Sequence, residues 1–175
     1  MFGAVGALAL SGCQAPPSPE VFTSPTPTPD WLSIELVDAV SDETFALSDF
    51  AGQVILVETM ATWCPTCIRQ GQEIQGLHAL LGDPADLVSV SLDVDLNEDQ
   101  ILLRDYVEVF GFEWRFAVAP LAVARALGNL YSAQYLNPPL SPMLIVDREG
   151  GVHQVDYGLK DVEILRALVE PYLEP

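Results

Sequence analysis

An apolar run, Val54-Ile55-Leu56-Val57, leads directly into Met60-Ala61-Thr62-Trp63-Cys64-Pro65-Thr66-Cys67. Apolar residues then recur at helical spacing from Pro65 onward. A Cys-x-x-Cys at a strand-to-helix junction constrains the fold more than any other stretch. The two sulfurs are near enough to bridge, and the first sits where a helix's unpaired N–H groups stabilise a thiolate. That arrangement suits thiol–disulfide chemistry.

The remaining composition removes competing readings. The chain has 175 residues, enough for one domain with a core. Asp and Glu number 25 against 7 Lys and Arg, a net charge of −18. Nucleic-acid binding needs basic surface, so no nucleic-acid partner is expected. Of three cysteines, Cys13 stands apart from the pair, which excludes a framework of structural disulfides. Zinc wants four ligands. The histidines are His78 and His153, each remote from the cysteines in sequence, and no metal site is expected.

Phe2 to Leu10 is small and apolar, and Leu10-Ser11-Gly12-Cys13 resembles a bacterial lipobox. The resemblance implies a leader over residues 1–12 and lipidation of Cys13. Two or more acyl chains there would anchor an exported protein to the cell membrane, outside the cytoplasm. The next segment, residues 13–32, carries Pro16, Pro17, Pro19, Pro25, Pro27 and Pro29. It favours extended polyproline geometry, and at about 3.1 Å per residue it reaches on the order of 50 Å. It reads as a spacer between an anchor and a domain over residues 33–175.

Within that domain, Ser33 to Val37 alternates as a strand and Thr44 to Leu47 is a second candidate. Val54 to Thr59 is the unbroken apolar pattern of a strand covered on both faces. Ile68, Ile74, Leu77 and Leu81 define a helix closed by Gly82, in which Gly71 and Gly76 mark close packing or a kink. Leu87 to Val94 alternates clearly. Asn97 with Gln100 reads as an N-cap pair before a helix ending at Gly111. Trp114 to Val118 is a short strand, Pro120 opens a helix ended by Gly128, and 131–141 reads as loop. Met143 to Val146, the turn Asp147 to Gly151 and Val152 to Tyr157 form a hairpin, and Lys160 to Tyr172 closes the chain as a helix. Strands alternating with helices, then a hairpin and a helix, argue for a mixed α/β sheet packed between helices.

Ala61-Thr62-Trp63-Cys64-Pro65-Thr66-Cys67, together with Ser141-Pro142 before a strand that ends in Asp147-Arg148-Glu149-Gly150, resembles the TlpA-type branch of the thioredoxin-like superfamily, within the wider redoxin and AhpC/TSA-like group. The likeness covers roughly residues 33 to 175. It implies a thioredoxin-like sheet with an N-terminal strand extension and a helical insert over about 97–130. It also implies a thiol–disulfide oxidoreductase with no cofactor beyond the Cys64–Cys67 disulfide. Members more often reduce client disulfides, for example apocytochrome c thiols before haem attachment, and are recharged by a membrane electron carrier.

On this resemblance Cys64 is the nucleophile, partly exposed at the helix N-terminus, and Cys67 is the resolving thiol. Trp63 shields the site and helps dock clients, and Pro65 and Thr66 tune the redox potential. Pro142 is the candidate cis-proline, ahead of Pro138 and Pro139, with the Ser141 backbone pairing with a client strand. Glu58 stands six residues before Cys64, where thioredoxin-like proteins often carry a buried acid. Desolvation would raise its pKa and let it take the Cys67 proton.

Two other functions compete. Copper binding of the SCO type uses a Cys-x-x-x-Cys and a downstream His, whereas Leu136 to Pro142 contains no His. A peroxiredoxin has a Pro and a Thr upstream of its nucleophile; Thr62 is present, but no Pro lies between Val54 and Cys64.

Overall fold

The computed structural model describes Met1, residues 28–82 and residues 85–173. Cys13, the leader beyond Met1 and the proline-rich segment up to residue 27 lie outside the described residues. A short antiparallel pair, β1 (Leu36–Val37) and β2 (Thr44–Phe45), precedes the strand β3 (Val54–Met60). Then come α1 (Pro65–Leu81), β4 (Leu87–Asp93), α2 (Gln100–Phe110) and β5 (Arg115–Val118). The chain closes with α3 (Leu121–Leu130), β6 (Met143–Val146), β7 (Val152–Gln154) and α4 (Val162–Leu173).

The main sheet has the order β5-β4-β3-β6-β7. β3 runs parallel to β4, β4 parallel to β5, and β6 antiparallel to both β3 and β7. This is the thioredoxin-like mixed sheet flanked by helices. All seven residues of β3 are buried, which explains its apolar run Val54–Val57 at the centre of the sheet and leaves Glu58 and Thr59 buried as well.

Alternation along β3 assigns side chains to the two faces. Ile55 and Val57 pack with Val123, Leu127 and Tyr135 on the α3 face. Val54 and Leu56 pack with Ile74 and Leu77 of α1 and Leu165 and Val169 of α4. Glu58 shares that second face by its even spacing. On β4, Val90 and Leu92 join the α3 face. Ser89, Ser91 and Asp93 therefore point to the α1 side, yet each is at most 3% exposed. The alternation that suggests one wetted face is in fact a row of buried polar groups beneath helices.

Several local expectations shift. Residues 30–33 form a 3-10 turn, so the strand expected from Ser33 begins only at Leu36; Trp31 and Leu32 are buried, each 2% exposed, and the Trp31 indole donates to the Tyr131 hydroxyl at 3.0 Å. The core thus reaches back into the segment read as spacer. The α2 cap is Asp99, not Asn97: the Asp99 carboxylate accepts from Ile101 N and Leu102 N, while the Asn97 amide is tied to Asp95. Helix α3 runs through Gly128 to Leu130. Residues 131–141 contain two further 3-10 turns, Ala133–Leu136 and Pro138–Leu140. The last hairpin strand stops at Gln154. Gly82 and Gly111 close their helices in the left-handed conformation, each at φ 68°.

Gly71 marks close packing. A Cβ there would stand 2.6 Å from Phe112 Cζ, so glycine lets α1 lie flat against the ring of Phe112. That ring belongs to an aromatic group with Tyr106, Phe110, Trp114 and Phe116. Among the described residues no helix is long and apolar enough to cross a membrane.

Candidate active site

β3 ends at Met60, a single turn follows in which Cys64 N–H donates to Ala61 O at 3.2 Å, and α1 begins at Pro65. Proline suits that first helical position because its missing N–H is not needed there. Cys64 is the N-cap of α1, and its sulfur accepts the Cys67 N–H at 3.2 Å. Cys64 and Cys67 form a disulfide with a Cα–Cα distance of 5.3 Å. The helix start therefore offers N–H groups and a dipole to whatever charge develops on Cys64.

The expectation of a partly exposed Cys64 is corrected. Cys64 is 0% and Cys67 1% exposed. The Cys67 sulfur faces the Pro138–Leu140 turn. Thr66 Oγ1 lies 3.4 Å from Cys64 Sγ and 3.4 Å from the Pro139 carbonyl it donates to. Cys67 Sγ lies 3.6 Å from the Pro138 carbonyl, an acceptor for its proton once it is a thiol. Trp63 is 55% exposed, and its indole N–H donates to Asp95 Oδ2 at 2.7 Å.

The cis-proline expectation is also corrected. No cis peptide bond occurs among the described residues, so Ser141–Pro142 is trans. The chain turns into β6 by another device: Ser141 adopts the left-handed region at φ 46°, unusual for a residue with a side chain. Ser141 is 0% exposed. Its N–H donates to Pro138 O at 2.8 Å and its carbonyl accepts Lys160 Nζ at 2.6 Å. Both backbone groups are engaged internally, so Ser141 is not an open pairing edge for a client. Pro142 does border β3, its carbonyl accepting Thr59 N–H at 3.1 Å.

Glu58 is 2% exposed and accepts Ser91 Oγ–H at 3.1 Å, while its Oε1 has no partner among the described residues. Burial pushes its carboxyl up to about 8, against the opposing pull of the Ser91 hydrogen bond and the Lys160 charge. Lys160 is the chain's single lysine, and it is only 4% exposed. Burial pushes its ammonium down to about 8, with Glu58 and Asp156 resisting. Buried Gln70 of α1 grips the Lys160 backbone from both sides, accepting its N–H at 2.9 Å and donating to its carbonyl at 3.0 Å. Sequence reasoning missed Lys160 and Gln70. The available signal was one lysine in a chain of 25 acids.

The two histidines are occupied elsewhere. His78 meets Ser89 Oγ at 2.9 Å and stacks on Trp114, and His153 meets Asp147 Oδ2 at 2.6 Å. Among the described residues no three His, Cys, Asp or Glu side chains cluster as a metal site.

The family model described as Redoxin matches residues 23–168. No curated protein sequence matches the chain. Solved structures of similar fold include the thiol:disulfide interchange protein, a thioredoxin family protein, of Chlorobium tepidum TLS, at 17% identity and a TM-score of 0.64, covering 81% of this chain and 93% of that one. A secreted Mycobacterium tuberculosis disulfide oxidoreductase is similar at 15% identity and a TM-score of 0.60, over 80% of this chain and 96% of that one. BsSco, a Sco family member, is similar at 18% identity and a TM-score of 0.61, over 81% and 92%. At these identities the likeness is one of fold.

Proposed function

The chain belongs to the redoxin family as a thioredoxin-like oxidoreductase, and from that premise we propose that it reduces protein disulfides outside the cytoplasm, held to the cell membrane through a lipidated Cys13. The observation that carries the reaction is the Cys64–Cys67 disulfide at the start of α1, with Cys64 Sγ accepting the Cys67 N–H. The lipobox-like Leu10-Ser11-Gly12-Cys13 and the prolines after it support the anchor.

In the reduced protein Cys64 thiolate attacks one sulfur of a client disulfide. The client S–S bond breaks, one client thiolate leaves, and a Cys64–client disulfide forms. Cys67 then gives its proton to Glu58, whose unpartnered Oε1 has lone pairs to take it. Cys67 thiolate attacks Cys64 Sγ, closing the intramolecular disulfide and releasing the second client thiolate. The client gains two electrons, and the protein is left oxidised. A dithiol donor, by family type a membrane electron carrier, restores it. Lys160 stabilises ionised Glu58 by its charge, while burial favours the neutral acid; the acid is thereby poised near neutral pH, where a general base works best. Apocytochrome c thiols belong to this client class.

Turnover tests the reading. With a small dithiol as electron source, the protein should accelerate reduction of a disulfide-bonded protein, and its oxidised form should be a poor oxidant of reduced, unfolded protein. Efficient oxidation with no reductase turnover would reverse the proposed direction.

A further inference from the structure

Two residues before Cys64, Thr62 is held from outside its own turn. Glu98, on the connection between β4 and α2, accepts Thr62 N–H on Oε2 at 2.8 Å and Thr62 Oγ1–H on Oε1. Both carboxylate oxygens of one side chain thus fix one residue. The turn's backbone is closed by Cys64 N–H to Ala61 O, and Trp63 has its own anchor in Asp95, so fixing Thr62 acts chiefly on where Cys64 points. We propose that Glu98 is a positioning residue for thiol exchange, aiming Cys64 through Thr62, and that Asp93 is the carboxyl that props Glu98. The proposal rests on the exchange reading above.

The connection is built for this purpose. Glu98 N–H donates to Asp95 O at 3.2 Å, and Asp95 N–H donates to Asp93 Oδ1 at 3.0 Å. Asp93 is 1% exposed, and its Oδ2 finds no donor among the described residues. A proton on the Asp93 carboxyl would supply a donor for the neighbouring Glu98 carboxylate, with which its side chain interacts. Burial holds Asp93 up at about 8; the Asp95 N–H pulls it down, and neighbouring Glu98 and Asp95 push it further up. Below that pH, one proton serves a carboxyl–carboxylate pair. Above it, two anions face each other and the prop turns into a repulsion.

The charged and titratable neighbours are Asp95 and Glu98 on the same connection and Tyr106 on α2. The Tyr106 phenol is itself raised by burial and by the charges of Glu58, on β3, and Glu98. The flanking strands bring Met60 and Val118 opposite Asp93. None of these supplies a cation to offset the pair.

The test uses the oxidised full-length protein, in which no thiol of the pair titrates. The Thr62 amide proton, followed by NMR from pH 6 to 9.5, should shift with a midpoint near 8. Asp93→Asn, which keeps a donor and cannot ionise, should abolish that titration, whereas Glu58→Gln should retain it. In turnover, Glu98→Gln should lower kcat roughly tenfold with KM little changed, because misaiming the nucleophile costs rate more than client binding. Thr62→Val, which keeps the amide and loses the hydroxyl, should fall between. The proposal is overturned if Asp93→Asn leaves the Thr62 titration intact, or if Glu98→Gln turns over like wild type. Wild-type protein with no exchange activity would overturn the exchange reading itself, which the amide titration does not depend on.

Discussion

Cys67→Ser protein, reduced and mixed with a disulfide-bonded client, should accumulate as a covalent complex through Cys64, stable without reductant and released by it. Cys64→Ser protein should form none and should lose essentially all reductase turnover. The asymmetry follows from the helix start. Cys64 is the N-cap, where unpaired N–H groups and the dipole favour a thiolate. Cys67 lies within α1, past the N-cap, with its sulfur 3.6 Å from the Pro138 carbonyl. It lacks the N-cap position that favours a thiolate, and is assigned the resolving step. Removing it stops the reaction after the first exchange, when the client is still attached. Gel electrophoresis without reductant, in a Cys13→Ser background, reads the result; equal trapping through either sulfur would refute the assignment of roles.

Glu58→Gln should make the protein more stable at pH 8 and slower. The folded-state carboxyl stands near 8 against an ordinary 4.5. Below 4.5, folded and unfolded chains both hold the proton and Glu58 costs nothing. Between 4.5 and 8 the unfolded chain ionises while the folded one keeps its proton, so stability falls as pH rises through that window. The cost reaches its full size above 8. At about 1.4 kcal/mol per pKa unit it approaches roughly 5 kcal/mol. Glutamine mimics the protonated acid and carries no such cost. Urea unfolding should therefore show little difference between variant and wild type at pH 4, and a gain of several kcal/mol for the variant at pH 8. Lys160 acts in a separate window, between about 8 and 10.5, because its folded pKa is depressed. Its cost is constant below 8 and relaxes as pH rises beyond. Without an acceptor for the Cys67 proton, resolution should slow on the order of 100-fold, and its pH dependence near 8 should disappear. An unchanged pH profile would remove Glu58 from the mechanism.

The sequence carried the sheet and the redox pair because both are local. β3, α1 and their junction are written in one continuous stretch, from apolar run to cysteines to periodic helix. The buried acid came from the family resemblance, which places it on that same strand. The second wall of the site was not. The Ser141 turn, the Lys160 ammonium on its carbonyl and the Gln70 grip on Lys160 join residues 19 and 90 positions apart. No periodicity records such contacts. The Glu98–Thr62 pair, 36 positions apart, was hidden likewise. The burial of the polar face of β4 is likewise a long-range effect: Ser89, Ser91 and Asp93 alternate as a strand should, and only the packing around them hides them. The cis-proline expectation came from family likeness, and it failed because a left-handed Ser141 makes the bend.

The central claim is that the Cys64–Cys67 disulfide opens and closes as a working couple. A redox titration in glutathione buffers, with thiols of the Cys13→Ser protein alkylated and counted by mass, tests it directly. A single two-electron transition with a midpoint between about −200 and −300 mV is the predicted result, placing the pair among disulfide reductants. A pair that stays oxidised across that whole range would be a structural disulfide and would contradict the account.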